Sequence, residues 1–259
     1  MNNPSEYVMA RKPLPWDGIT DVHTHLIGDL GNFYTPSTDA DSMVKEMDRI
    51  GIEKTLCSHI VVGGPESEYG NNEVLNAMKK HRNRILGYVV TYPIVDKLGI
   101  LEVKRCMDRG MSGIKLHSHY GIPYTSSHYR EIWEFANENK LPILLHTFTD
   151  TNLDALEVLF QEFSNAKIIL AHAGCANPEL YAHYAKKYDN VFLEASHSAA
   201  PYFIYEYFVS KVCIRKILFG SDFALHSLGH QLGRLLFAGI TEQQKKAILV
   251  ENPRQLLKE

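Results

Sequence analysis

The amino-acid sequence predicts an α/β protein, a (β/α)8 TIM barrel folded as a single domain. Three observations predict it. Eight short β-like runs alternate with amphipathic helix-like runs along 259 residues, at the spacing of about 30 residues that a βα unit needs. Several runs are apolar throughout, as in Ile143-Leu144-Leu145 and Ile168-Ile169-Leu170, which suits parallel strands covered by helices. Ionisable residues end many of the runs, and in a barrel the carboxyl ends of all strands meet at one face.

Taken in order, residues 1–16 contain Pro4, Pro13 and Pro15 and read as an extended N-terminal arm, with the barrel occupying 17–259. The β-like runs are Gly18 to Val22, Lys54 to Ser58, Ile85 to Val90, Gly113 to His117, Pro142 to His146, Lys167 to His172, Asn190 to Ala195 and Lys216 to Ser221. Between them, Tyr129, Ile132, Trp133 and Ala136 recur at i, i+3, i+4 and i+7, the apolar stripe of a helix. Leu153, Leu156, Phe160 and Phe163 form a second stripe. Ser126 or Ser127 is placed to cap the first and Asp150 the second. Thr241-Glu242-Gln243-Gln244 reads as a capping box opening a helix through Val250, which Asn252-Pro253 is expected to break before a short last helix. The longest strand-to-helix loops, about residues 26–38 and 59–72, are candidates for a lid over the site or for plain connections.

Composition narrows the function classes. A chain with 45% hydrophobic and 22% charged residues and a formal net charge of -3 has the balance of an ordinary globular protein. It offers no basic patch for a nucleic acid or an anionic membrane surface. No apolar stretch approaches the roughly 20 residues of a membrane span, and the N-terminus carries no apolar signal core. The four cysteines, Cys57, Cys106, Cys175 and Cys213, lack CxxC spacing and are expected as reduced thiols of a cytoplasmic protein. A doubly wound open sheet would use a glycine-rich phosphate loop; Val62-Gly63-Gly64-Pro65 is only a turn.

The candidate site starts at Asp21-Val22-His23-Thr24-His25. Two histidines separated by one residue in a strand point to the same side, so His23 and His25 can share a metal ion. Lys115, His146, His172 and Asp222 stand at or near the ends of later runs and should converge on the same place. Packing gives no reason to bury several ionisable groups together, because each carries a desolvation cost; a coordinated divalent cation removes it. His117 faces the same way as Lys115. His119 and Tyr120 follow in the next loop, and His197, His226 and His230 come after strands seven and eight as further candidates for substrate contact. His59, His81, His128 and His183 are expected to be structural or exposed.

Asp-Val-His-Thr-His-Leu (21–26), Gly-Ile-Lys-Leu-His (113–117), Leu-Pro-Ile-Leu-Leu-His-Thr (141–147), Leu-Ala-His-Ala-Gly (170–174), Leu-Phe-Gly-Ser-Asp (218–222) and Glu-Asn-Pro-Arg-Gln-Leu-Leu (251–257) resemble the amidohydrolase superfamily, and within it the amidohydrolase 2 branch of metal-dependent TIM-barrel hydrolases. The related TatD-type nucleases typically carry a Glu on the fourth strand and Glu-Thr-Asp on the last, where this chain has Lys115 and Gly220-Ser221-Asp222. The resemblance implies that His23 and His25 bind the more buried metal with Asp222 close to it, and that His146 completes a mononuclear site in some members. In dinuclear members His146 and His172 hold a second ion, and a carboxylated lysine at the place of Lys115 bridges the two. The other reading of Lys115 is a cation that binds substrate, with His117 beside it. The ion expected is Zn²⁺, one or two per chain, with Mn²⁺ or Fe²⁺ also suited to the ligands. The activity implied is hydrolysis of a C–N or C–O bond in a small amide, cyclic amide or lactone, by metal-activated water with Asp222 as general base; His172, where it is not a ligand, would polarise the carbonyl. The alternative is a metal-dependent lyase, a decarboxylase or hydratase of a small carboxylic acid. The partner expected is a small-molecule substrate, with a homo-oligomer compatible with such an enzyme.

Overall fold

A computed structural model describes residues 4–10, 12, 14–27, 39–60, 66–93, 98–118, 121–148, 152–197 and 199–257. Eight strands lie in sequence order in one sheet, all adjacent pairs parallel: β1 (Thr20–Leu26), β2 (Lys54–His59), β3 (Ile85–Val90), β4 (Gly113–Leu116), β5 (Pro142–His146), β6 (Lys167–Ala171), β7 (Val191–Glu194) and β8 (Ile217–Leu218). Residues following β8 close the barrel onto β1. Val22 N donates to Phe219 O at 2.9 Å, Asp222 N donates to His23 O at 2.8 Å, and Thr24 bridges to Phe223. The expected fold class therefore holds.

Strand alternation sorts the side chains. Ile143 and Leu145, Ile168 and Leu170, and Ile114 and Leu116 pack outward against the helices. Leu144, Ile169, Tyr88, Leu56, Val22 and Leu218 fill the barrel interior. Leu256, from the last helix, packs on this inner layer, and Lys167 at the start of β6 donates to its carbonyl. The amino-terminal end of the barrel is thus plugged by apolar packing, which leaves the carboxyl-terminal end for chemistry. In β1 the register with β2 shifts between Asp21 and Thr24, so Val22 joins the inner layer while His23 also faces the site.

Both apolar stripes are buried as expected, Tyr129, Ile132, Trp133 and Ala136 as well as Leu153, Leu156, Phe160 and Phe163. Ser126 is the residue that caps the turn preceding the first of these helices, accepting from His128 N; Asp150 lies outside the described residues. The capping box forms: Thr241 Oγ1 accepts from Gln244 N and Gln244 Oε1 accepts from Thr241 N at 2.8 Å.

Four expectations are corrected. The N-terminal arm is not extended throughout, because Pro4–Met9 is helical; Pro4 at the first helical position lacks an N–H that would have had no partner there anyway. Asn252-Pro253 does not break the final helix. A π-helical stretch, Ala247–Glu251, precedes Asn252–Leu257, and its wider turn accommodates a proline that cannot donate. β8 is shorter than the apolar run suggests: Lys216 belongs to the 3-10 turn Ile214–Lys216, and Phe219 to Ser221 continue past the end of the strand. Tyr69 and Gly70 belong to the helix Ser67–Lys80 rather than to a loop; the rest of that loop candidate from 61 to 65, and residues 28–38 of the other, lie outside the described residues. No helix among the described residues is long and apolar enough to cross a membrane. Cys57 and Cys106 are buried, Cys175 is partly buried, Cys213 is exposed, and none is bridged.

Candidate metal centre

His23 and His25 lie within β1, not beyond its end, and their alternation brings the two Nε2 atoms to 3.1 Å of each other. Asp222, just past β8, puts Oδ1 at 3.1 Å from His25 Nε2 and 3.4 Å from His23 Nε2. His172 follows β6 directly. Ligand atoms of His23, His172 and Asp222 all lie within 4.8 Å of one another. Lys115 on β4 reaches the same point, donating from Nζ to His23 Nε2 at 2.9 Å. His146 ends β5 with its ring centroid 4.9 Å from that of His172, and His117 stacks on it at 3.8 Å. The six expected ligands, with His117, therefore converge.

Two of these residues sit on strained backbone. His172 has φ 58° and Asp222 φ 56°, in the left-handed region that costs a non-glycine residue of order 1 kcal/mol or more. His197 has φ 95° and its ring lies 5.5 Å from His172 and 4.5 Å from His226. His226 Nε2 stands 3.6 Å from the other Asp222 oxygen, Oδ2. His230 is exposed on the helix Leu228–Leu236 and does not join the group; His119 and Tyr120 lie outside the described residues.

The residues beneath the imidazoles were not singled out by the sequence. Glu194, the last residue of β7, is fully buried and its Oε2 lies 2.8 Å from His23 Nδ1. Ser196 Oγ donates to that same oxygen at 2.9 Å and lies 3.0 Å from His172 Nδ1. Ser58 Oγ lies 2.9 Å from His25 Nδ1. Asp21 Oδ1 accepts from the backbone N–H of His23 and of Ser221, each at 3.0 Å. His59, expected to be structural or exposed, is buried at the end of β2 near His25. A signal existed for Glu194: Phe192-Leu193-Glu194 ends an apolar strand in a carboxylate, the same pattern that pointed to the histidines.

Electrostatics separates the groups by role. Burial holds His23 and His25 below the ordinary imidazole range and His172 down to about 3, with Lys115 adding repulsion in each case. The imidazoles are thus neutral and able to donate lone pairs. Burial alone would raise Asp222, but the hydrogen bond with His25 and the electrostatic pull of His172, His25 and Lys115 hold it well below the ordinary carboxylate range. Burial lowers Lys115 to about 8, with Asp222 and Glu194 partly opposing, so at neutral pH it remains mostly an ammonium. Burial raises Glu194 to about 8 and Asp21 to about 7, against hydrogen bonds from Ser196 and Ser221.

This donor set suits a divalent cation. Three neutral imidazoles and one ionised carboxylate converge, and each imidazole has its Nδ1 occupied by Glu194, Ser58 or Ser196, which turns its Nε2 to the centre. Such outer hydrogen bonds accompany metal-binding histidines generally, and imidazole with carboxylate suits Zn²⁺ or Mn²⁺.

A family model described as Amidohydrolase matches residues 20–258. No curated protein matches. Among solved structures, a 2,6-dihydroxybenzoate decarboxylase complexed with 2,6-dihydroxybenzoate is 17% identical, with 94% of this chain and 100% of that chain covered and a TM-score of 0.77. A 5-carboxyvanillate decarboxylase from Novosphingobium aromaticivorans, complexed with manganese and 4-hydroxy-3-methoxy-5-nitrobenzoic acid, is 15% identical over 93% and 96% of the two chains, with a TM-score of 0.77. A "probable 2-pyrone-4,6-dicarboxylic acid hydrolase" from Acinetobacter baumannii with citric acid bound is 15% identical over 93% and 100%, with a TM-score of 0.74.

Proposed function

This chain belongs to the amidohydrolase family, and from that premise we propose that it is a metal-dependent lyase that removes CO₂ from a small aromatic or unsaturated cyclic carboxylic acid. The observation that carries the reading is Lys115. The residue is 1% exposed, and its ammonium contacts His23 Nε2 and has no direct ion pair among the described residues. A metal ion needs the same Nε2 lone pair, so the ammonium must leave it when an ion binds, and a substrate carboxylate is a fitting new partner. The three neighbours lend support through the molecules they are named for, each of which carries a carboxylate.

In this reading His23, His25, His172 and Asp222 would hold one divalent cation, Zn²⁺ or the Mn²⁺ seen in a neighbour, which when bound supplies a Lewis acid for a substrate oxygen. His146 and His117 line the approach as a stacked pair. Lys115 fixes the departing carboxylate. The ring–carboxylate C–C bond breaks, its electron pair stays on the ring carbon, CO₂ leaves, and a proton takes its place. Asp222 delivers that proton from Oδ2, resupplied by His226 at 3.6 Å. Because its surroundings hold Asp222 ionised, it carries the proton only in passing, from His226 to the ring carbon.

Hydrolysis is the second reading, favoured by the hydrolase neighbour. There Asp222 acts as base toward water, and Lys115, carboxylated, would bridge two ions. The test is to load the protein with Zn²⁺ or Mn²⁺ and assay hydroxybenzoic and related ring acids for CO₂, with lactones and amides in parallel. The expected result is CO₂ from at least one acid with about one ion per chain, falling about 100-fold or more in Lys115→Met and Asp222→Asn. Hydrolysis of a lactone or amide, two ions per chain and no CO₂ from any acid would overturn it.

A further inference from the structure

We propose that Glu194, acting through Ser196, is a positioning residue that fixes His23 and His172 in the same tautomer and so presents both Nε2 lone pairs to one cation. The inference rests on the metal-binding reading above, but the tautomers follow from hydrogen bonds alone. An ammonium only donates. Lys115 Nζ at 2.9 Å from His23 Nε2 therefore makes that nitrogen an acceptor, and His23 carries its proton on Nδ1. Nδ1–H then donates to Glu194 Oε2 at 2.8 Å.

The same oxygen accepts the Ser196 hydroxyl proton at 2.9 Å, and Glu194 Oε1 accepts from Ser196 N. With its proton committed to Glu194, Ser196 Oγ can only accept from His172. His172 thus donates from Nδ1 at 3.0 Å, which leaves its Nε2 as a lone pair. Burial favours the protonated form of Glu194, but each of the three groups bonded to its oxygens donates, so it stands here as a carboxylate that accepts three times and sets the proton positions on two imidazoles from different strands. These two residues, with Asp222, are the ones whose ligand atoms cluster within 4.8 Å. A glutamine at 194 offers one acceptor oxygen and an NH₂ that only donates, so it cannot satisfy all three donors.

The experiment combines zinc affinity, by competition with a chromophoric chelator, with ¹⁵N NMR of the imidazoles in metal-free and Zn²⁺-loaded protein. In the parent, both His23 and His172 should show Nδ1–H. Glu194→Gln should weaken Zn²⁺ binding about 10- to 100-fold and mix the tautomers of both rings. Ser196→Ala should bind less weakly than Glu194→Gln and disturb His172 while leaving His23 unchanged. Zinc affinity within threefold of the parent and unchanged tautomers in Glu194→Gln would overturn the proposal. Where that variant does not fold, the same result for His172 in Ser196→Ala overturns it. A parent that binds no Zn²⁺ removes the metal reading instead, and the ¹⁵N signals of the metal-free parent and variants still decide the tautomer claim.

Discussion

At His59, burial and then the proximity of His25 hold the ring down to about 4, against an ordinary value near 6.5. The folded chain therefore refuses a proton that the unfolded chain accepts between those values. This contribution to stability is fully present above about pH 6.5 and is lost as pH falls toward 4, because the unfolded state binds more protons there. His172, held down to about 3, acts in the same direction. Urea unfolding of His59→Asn between pH 4 and 7 should show an acid slope shallower by up to ~1.4 kcal/mol per pH unit; an unchanged slope would mean the ring titrates as it does in water. Thiols follow a similar logic. Cys57 and Cys175 are pushed up to about 12 by burial, so Cys175 is a poor nucleophile despite its place beside the site. Exposed Cys213 should react first with a thiol reagent at neutral pH, and rapid labelling of Cys57 or Cys106 in native protein would contradict their burial.

The element that holds the site's β7 corner in place is the helix Leu228–Leu236. Its Arg234 donates from Nη1 to the carbonyls of Ala195 and His197, at 3.3 and 2.8 Å, and from Nη2 to Ala200 and Pro201, at 3.4 and 3.5 Å. With these bonds made, Arg234 clamps the segment that carries Ser196 and His197. Charge-assisted bonds of this kind are worth about 1.5–3 kcal/mol each when removal leaves a buried partner unsatisfied. Arg234→Met should lower stability by about 2 kcal/mol and speed amide hydrogen exchange over Ala195 to Pro201, while exchange in β3 and β4 stays as it was. Uniform acceleration across the barrel would instead mark Arg234 as a general packing residue.

Over the whole molecule, the alternation of apolar runs was sufficient to foresee eight parallel strands, because period and burial are local properties of the chain. The metal-facing residues were legible for a related reason: an imidazole or carboxylate closing an apolar strand has few other uses. What could not be read was pairing across the barrel. That Glu194 on β7 lies under His23 on β1 depends on how the barrel closes, and closure runs through residues beyond the two of β8. Gly220 is the point of contact. A Cβ there would come within 2.6 Å of Glu194 Cδ and 2.7 Å of His23 Cβ, closer than packed atoms tolerate, and neither neighbour is free to retreat without giving up the bond between them. Gly220→Ala should therefore cost about 1–3 kcal/mol of overpacking and also weaken Zn²⁺ binding, by displacing His23 from its place opposite Asp222. Thermal unfolding with and without added Zn²⁺ separates the two effects. Stabilisation by Zn²⁺ should shrink in the variant, whereas a lower Tm with the full Zn²⁺-dependent rise would place the strain in the barrel wall and not at the site.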